Sequence, residues 1–528
     1  MISLQNIAYI HPDKESLFDQ INLSINKHDK IALIGNNGSG KSTLLKIIAG
    51  DLEQSSGNIS IDARSYYLPQ IFGQYNHLTV AQALRVEKKL KALKEILSGY
   101  VNEENMNALN DDWTIEERCN QALHYWQLTE LDLSQKLAEL SGGQKTKVFL
   151  AGISIHQPEI ILLDEPSNHL DSTGRQLLYD FIQSSLSTII IVSHDRKLLN
   201  LLDTVCELSQ KGITVYGGNY DFYAEQKQIE ENALYHDIHS KEKALRKAKE
   251  KERETMERKQ KLDARGKKKQ IKSGTPKTMI NKMKHDSEKS ASKIQGVHTE
   301  KINGISKELS DLLLARPDID KMKFGFNNSE LHIGKILIRA TNINFSYEKL
   351  MLWKEDLNFQ ILSGERIRLQ GLNGSGKTTL INLIISNLEP KAGTLFRAIT
   401  NSVYIDQDYS LINNKLKVYE QTQQYNTTAL QEHEIKIRLN RFLFPKEDWD
   451  KPCSALSGGE KMRLMLCCLT IFNHAPDLII LDEPTNNLDI QNMDILTAAI
   501  NEYQGTLLVV SHDEYFLQEI NIQRTISI

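Results

Sequence analysis

At 528 residues the chain is too long for one hydrophobic core, because cores stop growing near about 250–300 residues, so two domains and a connector are expected. A composition of 40% apolar and 25% charged residues is that of a globular protein, and no apolar run approaches the roughly 18 residues of a membrane span, which argues against an integral membrane chain. The net charge of −4 averages over a strong asymmetry between segments. The opening MISLQNIAYIHPDKESLF carries charge and lacks the long apolar stretch of a secretory leader, which points to the cytoplasm. Cys119, Cys206, Cys453, Cys467 and Cys468 form no C-x-x-C pair and no zinc spacing with histidine, so they read as buried thiols in a reducing compartment.

An internal repeat organises the chain. GNNGSGKST at 35–43 returns as GLNGSGKTT at 371–379, LSGGQ at 140–144 as LSGGE at 456–460, and ILLDEPSNHLD as IILDEPTNNLD, in the same order. From Glu165 to His194 and from Glu483 to His512 the spacing is 29 in both copies. Gln70 to Ser141 spans 71 residues and Gln407 to Ser457 only 50, so the first copy holds about 21 extra residues, assigned to the polar stretch 86–112. The runs KIALIG, PEIILLD and STIIIVS end in motif residues, as buried parallel strands do when they deliver functional groups to the carboxyl edge of an α/β sheet.

In chain order, the first motif is a phosphate-binding loop. Gly35, Asn36, Asn37, Gly38, Ser39 and Gly40 can wrap phosphates with backbone N–H groups, Lys41 reaches the β- and γ-phosphates, and Ser42, followed by Thr43, offers a hydroxyl to Mg²⁺. Gly371, Leu372, Asn373, Gly374, Ser375, Gly376, Lys377, Thr378 and Thr379 repeat it. A single such loop can be a plain glycine turn; two within one repeat are not. Ser141, Gly142, Gly143 and Gln144, then Ser457, Gly458, Gly459 and Glu460, each introduce a helix whose free N–H donors favour a phosphate. In LLDEP and ILDEP an apolar strand ends in adjacent carboxylates that point different ways. Asp164 and Asp482 are assigned to Mg²⁺, and Glu165 and Glu483 to orienting or deprotonating the attacking water.

Between the halves, residues 222–263 contain no proline or glycine and are dense in helix formers; Gly266, Gly274 and Pro276 then punctuate, and a second helical stretch covers 277–315. An antiparallel helical hairpin is expected. Residues 241–301 hold 21 Lys plus Arg against 9 Asp plus Glu, a balance of +12 that leaves −16 for the rest of the chain. Residues 264–285 carry Arg265, Lys267, Lys268, Lys269, Lys272, Lys277, Lys282 and Lys284 and no acidic residue, a cationic tip suited to RNA phosphates. Ile271, Met279, Ile280 and Met283 are interleaved without forming the apolar face of a membrane-surface helix.

The ordered set of phosphate loop, Gln70 or Gln407, LSGG, DEP and His194 or His512 resembles the ATP-binding-cassette superfamily over nearly all of both halves. The resemblance implies head-to-tail pairing, with Ser141 completing the site of Lys377 and Ser457 that of Lys41. It implies Gln70 and Gln407 as further Mg²⁺ and nucleotide ligands, Tyr9 and Tyr347 as adenine-stacking aromatics, and His194 and His512 as catalytic histidines sensing the γ-phosphate. Two cassettes joined by a helical linker in one chain without a membrane domain resemble the ABC-F branch. That resemblance implies two P-loop domains, 1–220 and 336–528, flanking a linker at 221–335, and an ATPase binding ATP and Mg²⁺. Its implied partner is the ribosome, through rRNA and tRNA, with a role in translation or in antibiotic protection, and a monomer whose two cassettes pair internally. Ser167, Glu460 and Asn487 depart from the pattern of the other copy without removing a catalytic group. The competing readings are the energy module of a membrane transporter, which has no use for a basic hairpin between cassettes, and a DNA-associated ATPase, which carries far longer coiled coils or zinc modules.

Overall fold

The computed structural model describes all residues except 12–15, 210–211, 273–276, 315–321, 323–331, 333, 348–349, 373, 400, 428, 473–474 and 487; the side chains of 263, 266–284, 286–288, 290–291 and 294 are also outside the described set. Met1–Tyr223 with Met322–Ile528 form one compact unit, and Ala224–Lys321 a second.

The first half is built on a six-stranded sheet in the spatial order Ser65–Leu68, Ile160–Asp164, Thr188–Val192, Lys30–Ile34, Thr204–Ser209 and Gly212–Tyr216. Its first five strands are parallel and the last pair is antiparallel. The central strands read as unbroken apolar runs because both faces are covered. Ala32, Ile34, Ile161 and Leu163 join one core with the helix Gly142–His156, while Ile31, Leu33, Ile160 and Leu162 join another with the helix Lys41–Ala49. A separate antiparallel sheet, ordered Ser16–Ile25, Ile2–Ile10, Ser56–Ile61, adjoins the second core.

The second half repeats this plan. Its parallel sheet runs Ser402–Ile405, Leu478–Asp482, Thr506–Val510, Arg366–Gln370, Arg524–Ser527, beside an antiparallel trio of Leu357–Leu362, Ile336–Asn344 and Ala392–Arg397. The extra residues of the first copy fold as the helices Glu87–Leu97 and Glu103–Leu109. All five cysteines are free and buried.

The second unit is a helical hairpin made of the helix Tyr220–Lys272, from Ala224 onward, and the helix Lys277–Leu314. Lys241 pairs with Glu308 across it, which fixes the two helices as antiparallel. Gly266 does not end the first helix as expected. A single glycine costs a helix only about 1 kcal/mol relative to alanine, and the lysines and glutamines around it are good helix formers. The helix therefore covers 53 residues, a rise of about 80 Å. Arg265 is exposed, while the side chains of Lys267, Lys268, Lys269, Lys272, Lys277, Lys282 and Lys284, and residues 273–276 with Gly274 and Pro276, lie outside the described residues. Among the described residues, no helix is long and apolar enough to cross a membrane.

Candidate ATP sites

Each phosphate loop leaves the end of a central strand and opens a helix. The strand Lys30–Ile34 runs into residues 35–40 and the helix Lys41–Ala49; Arg366–Gln370 runs into 371–376 and Lys377–Ile384. The residue capping each helix is a left-handed glycine, Gly40 at φ 96° and Gly376 at φ 94°. A Cβ at Gly40 would lie 2.8 Å from Leu17 and Phe18, so neither the conformation nor the space admits a side chain. Lys41 Nζ donates to the carbonyls of Gly35 at 2.6 Å and Asn36 at 3.0 Å, and Lys377 Nζ to those of Gly371 and Leu372 at 2.8 and 3.0 Å. Burial lowers the basicity of both lysines; Glu165, Asp489 and Asp164 oppose this at Lys41, and Glu483, Asp482 and Asp171 at Lys377.

The paired carboxylates stand at the ends of Ile160–Asp164 and Leu478–Asp482. Asp164 accepts from the Tyr67 hydroxyl at 3.2 Å and Asp482 from Tyr404 at 2.9 Å. Burial raises both aspartates, opposed at Asp164 by Ser42, Tyr67 and Lys41, and at Asp482 by Tyr404, Lys377 and Thr378. Asp164 Oδ1 is buried without a hydrogen-bond partner, and the carboxylate as a whole stands beside Ser42 and Lys41 of the phosphate loop. A hard divalent cation such as Mg²⁺ takes oxygen donors of this kind, so the donor set fits it.

The next residue in each copy sits in the left-handed region, Glu165 at φ 51° and Glu483 at φ 48°, which turns the carboxylate away from its neighbour. Their N–H groups donate to Val192 and Val510 of the adjacent strand, both at 2.8 Å. Glu165 Oε1 lies 3.2 Å from His194 Nε2, and Glu483 Oε1 3.3 Å from His512 Nε2. Burial pushes Glu483 up to about 7, opposed first by Arg175 and reinforced by Asp482, and it lowers His512 to about 4, with Arg175, Lys377 and Arg368 adding to the fall. Burial and Asp164 likewise raise Glu165, and burial and Lys41 lower His194. Each site thus sets an imidazole whose protonation burial disfavours against a carboxylate whose acidity burial weakens, the direction that suits a general base.

The two halves meet so that each phosphate loop faces the other copy's signature. A cleft of about 360 Å³ is lined by Asn37, Gly38, Lys41, Ser42, Thr43, Gln70, Asp164, Glu165 and His194 of the first half together with Ser457 of the second. A second cleft of about 380 Å³ joins Ser141, Gly143, Gln144, His169 and Asp171 to Gly374. Both serines cap their helices in a reciprocal box, with Gln144 and Glu460 returning a side chain to the serine N–H at 3.0 and 2.7 Å. Asp489, the cap of Ile490–Glu502, accepts from the Asn37 N–H at 2.8 Å and so reaches into the first phosphate loop.

Tyr9 does not line the first cleft. The register of its strand shifts on either side of it, and its ring lies edge-on to His11 with centroids 5.5 Å apart and 6.4 Å from Phe18; His11 and Leu17 line the cleft. Tyr347 is 70% exposed and its hydroxyl lies 2.9 Å from Thr379 Oγ1. Gln407 is half-buried just beyond the strand Ser402–Ile405, and Asn373 lies outside the described residues. Sequence reasoning passed over Tyr67 and Tyr404, although the repeat carries them, each three residues before its glutamine.

Residues 18–168 and 354–486 match the family described as ABC transporter. The chain belongs to the ATP-binding-cassette family. Within it, this ABC-F protein is 32% identical to the putative ATP-binding protein YdiF of Bacillus subtilis over 96% of its own length and 77% of YdiF, and 29% identical to ABC transporter F family member 5 of Arabidopsis thaliana over 100% and 75%. Uup of Haemophilus influenzae is 28% identical over 98% and 77%. Among solved structures, an archaeal ribosome recycling factor in complex with a ribosomal stalk protein shares the fold at 18% identity and a TM-score of 0.60, over 99% of this chain and 87% of that one. ABC cassettes bind and hydrolyse ATP, and this ABC-F protein carries two of them.

Proposed function

We propose that this ABC-F protein is a cytoplasmic, monomeric ATPase that closes its two cassettes on two molecules of ATP and uses that closure to present the basic hairpin to the ribosome, modulating translation or protecting it from antibiotics. The observation that carries the ATP half is the composite cleft, in which Ser457 of one half faces Lys41, Gln70 and Glu165 of the other. The cassettes are taken as 1–220 and 336–528 and the linker as 221–335. In each site the loop N–H groups and Lys41 or Lys377 hold the phosphates, and Ser141 or Ser457 covers the γ-phosphate from across the junction. Glu165 and Glu483 accept hydrogen bonds from the attacking water and draw off its proton, and His194 and His512 orient the γ-phosphate beside them. Ser42, Gln70 and Asp164, with Thr378, Gln407 and Asp482 in the second site, are the residues that would hold Mg²⁺, which neutralises phosphate charge when bound.

The ribosomal half rests on the charge of the hairpin, +12 over residues 241–301. A structural neighbour is itself a ribosome-bound complex, which agrees with this reading. The test is cosedimentation. With Glu165→Gln and Glu483→Gln and saturating ATP, the protein should pellet with ribosomes, and more than without nucleotide; pelleting with membranes, or with neither, would overturn the ribosomal assignment.

A further inference from the structure

The two halves repeat their ATP chemistry but not the junction between them. Two residues after His194, Arg196 opens the short helix Arg196–Leu199 and reaches into the second cassette. Its guanidinium is 10% exposed; one nitrogen lies 2.6 Å from Asp494 Oδ1 and another 2.7 Å from Glu519 Oε1. Asp494 sits in the second turn of Ile490–Glu502, the helix whose cap Asp489 holds the Asn37 N–H of the first phosphate loop. Glu519 closes the helix Glu514–Glu519 that follows His512.

The repeat shows what stands at the equivalent places. Glu514 takes the position of Arg196 and pairs with Arg368 of its own cassette at 2.9 Å. Gln176 takes the position of Asp494 and donates to Asp180 of its own helix at 2.8 Å. A fixed cation bridging two carboxylates across the junction is therefore built beside the Lys41 site, and its counterpart beside the Lys377 site is turned inward. Charge-assisted bonds of this length are the strong kind, and a guanidinium can satisfy two carboxylates at once.

We propose that Arg196 is a positioning residue for the first ATP site: it latches the second cassette so that Asp489 and Ser457 stay against the Lys41 phosphate loop, and it makes the two sites unequal in nucleotide retention. Arg196 touches no nucleotide and acts through the helix that Asp489 caps.

The test loads the full chain with a non-hydrolysable photoreactive ATP analogue, crosslinks, cleaves within the hairpin and measures label on each cassette. In Arg196→Ala, retention at the Lys41 site should fall about 10-fold, because the two lost bonds are charge-assisted while their acceptors are partly solvated, and retention at the Lys377 site should change less than about twofold. Arg196→Glu should be at least as damaging, and adding Asp494→Arg should restore the first site. That rescue separates positioning from a general loss of folding, which thermal unfolding of each variant reads independently. Equal losses at both sites, no loss at either, or failure of the charge swap in a folded protein would overturn the latch. The analogue needs no hydrolysis, so failure of the glutamate assignments leaves this result readable.

Discussion

Replacing Ser457 separates a composite ATP site from two self-contained ones. Ser457 Oγ accepts from the Glu460 N–H at 3.3 Å, a long bond, while the Glu460 carboxylate is held by the Ser457 N–H at 2.7 Å and by Lys451 at 2.7 Å. Ser457→Ala therefore leaves most of the capping box in place and costs folding about 0.5–1 kcal/mol, the lower part of the range for a lost cap. Against a bound phosphate the same hydroxyl is a charge-assisted donor worth about 1.5–3 kcal/mol, or about 10- to 100-fold in affinity. Ser457→Arg adds a long side chain to a cleft of about 360 Å³ that must admit the phosphates, so its effect should be at least as large. Site-resolved photocrosslinking of ATP reads both variants. Label on the first cassette, around Lys41, should fall by these factors, while label on the second, around Lys377, should change less than about twofold. If the second cassette lost its label instead, each signature would serve its own phosphate loop and the head-to-tail reading would be wrong.

Glu165→Gln with Glu483→Gln should reduce ATP turnover at least about 100-fold, the lower end of a general base's contribution, while ATP stays bound; wild-type steady-state turnover in that variant would remove both residues from the mechanism. Replacing Lys267, Lys268, Lys269 and Lys272 by Gln should leave basal ATPase intact and make the log–log salt dependence of ribosome binding shallower by up to about 3–4 units, read by pelleting across a salt series. Unchanged affinity and slope would mean that these lysines only face solvent. Asp112 joins Lys89 of the inserted helices, at 2.6 Å, to Arg118, which also holds the Ile155 carbonyl at 3.0 Å. Burial raises the Asp112 carboxyl, but the bonds to Lys89 and Arg118 outweigh it and leave the group below its ordinary 3.8, so its stabilisation is complete above that value and is lost as pH falls through the lowered one. Asp112→Asn should then cost about 1–2 kcal/mol at pH 7, seen as a lower urea midpoint for the first transition, and the difference from wild type should vanish in strong acid.

Much of this architecture was legible because the groups that bind ATP are local. The loop 35–43 needs only its own glycines and the strand before it, and the 29-residue spacing from Glu165 to His194 returns intact in the second copy. The strands were legible because both faces of the sheet are buried, which leaves an apolar run with no polar interruption. What escaped depends on packing at a distance. Tyr9 was placed by its spacing to the phosphate loop, and spacing does not show that it is half-buried between His11 and Phe18 on a strand whose register shifts on either side of it. Gly266 was read as a break because local punctuation does not weigh one glycine against 52 other helical residues. Arg196 and Asp494 are 298 positions apart and nothing in either neighbourhood announces the other.

The tandem chain also accounts for where the two copies agree and where they part. On the proposed reading each site holds the same nucleotide, which accounts for Lys41 and Lys377, Asp164 and Asp482, and Glu165 and Glu483 having the same chemistry and nearly the same geometry. Side chains at the junction obey a different constraint. In a two-fold dimer of identical cassettes every contact from residue i to residue j would occur twice, and a cation at one position would fix the same cation at its mate. Joining the halves covalently removes that requirement. Arg175, buried beside Asp195, then has Met493 as its counterpart in the repeat, and both line one crevice with Glu165, His194, Thr485 and Asp513. The buried charge falls on the side of Glu483 and His512, whose acidities it shifts, and the ionic latch of Arg196 falls on the side of Lys41. On the proposed reading, two sites with matched residues thus sit in unmatched surroundings, and differences in their nucleotide retention should trace to the junction rather than to the motifs.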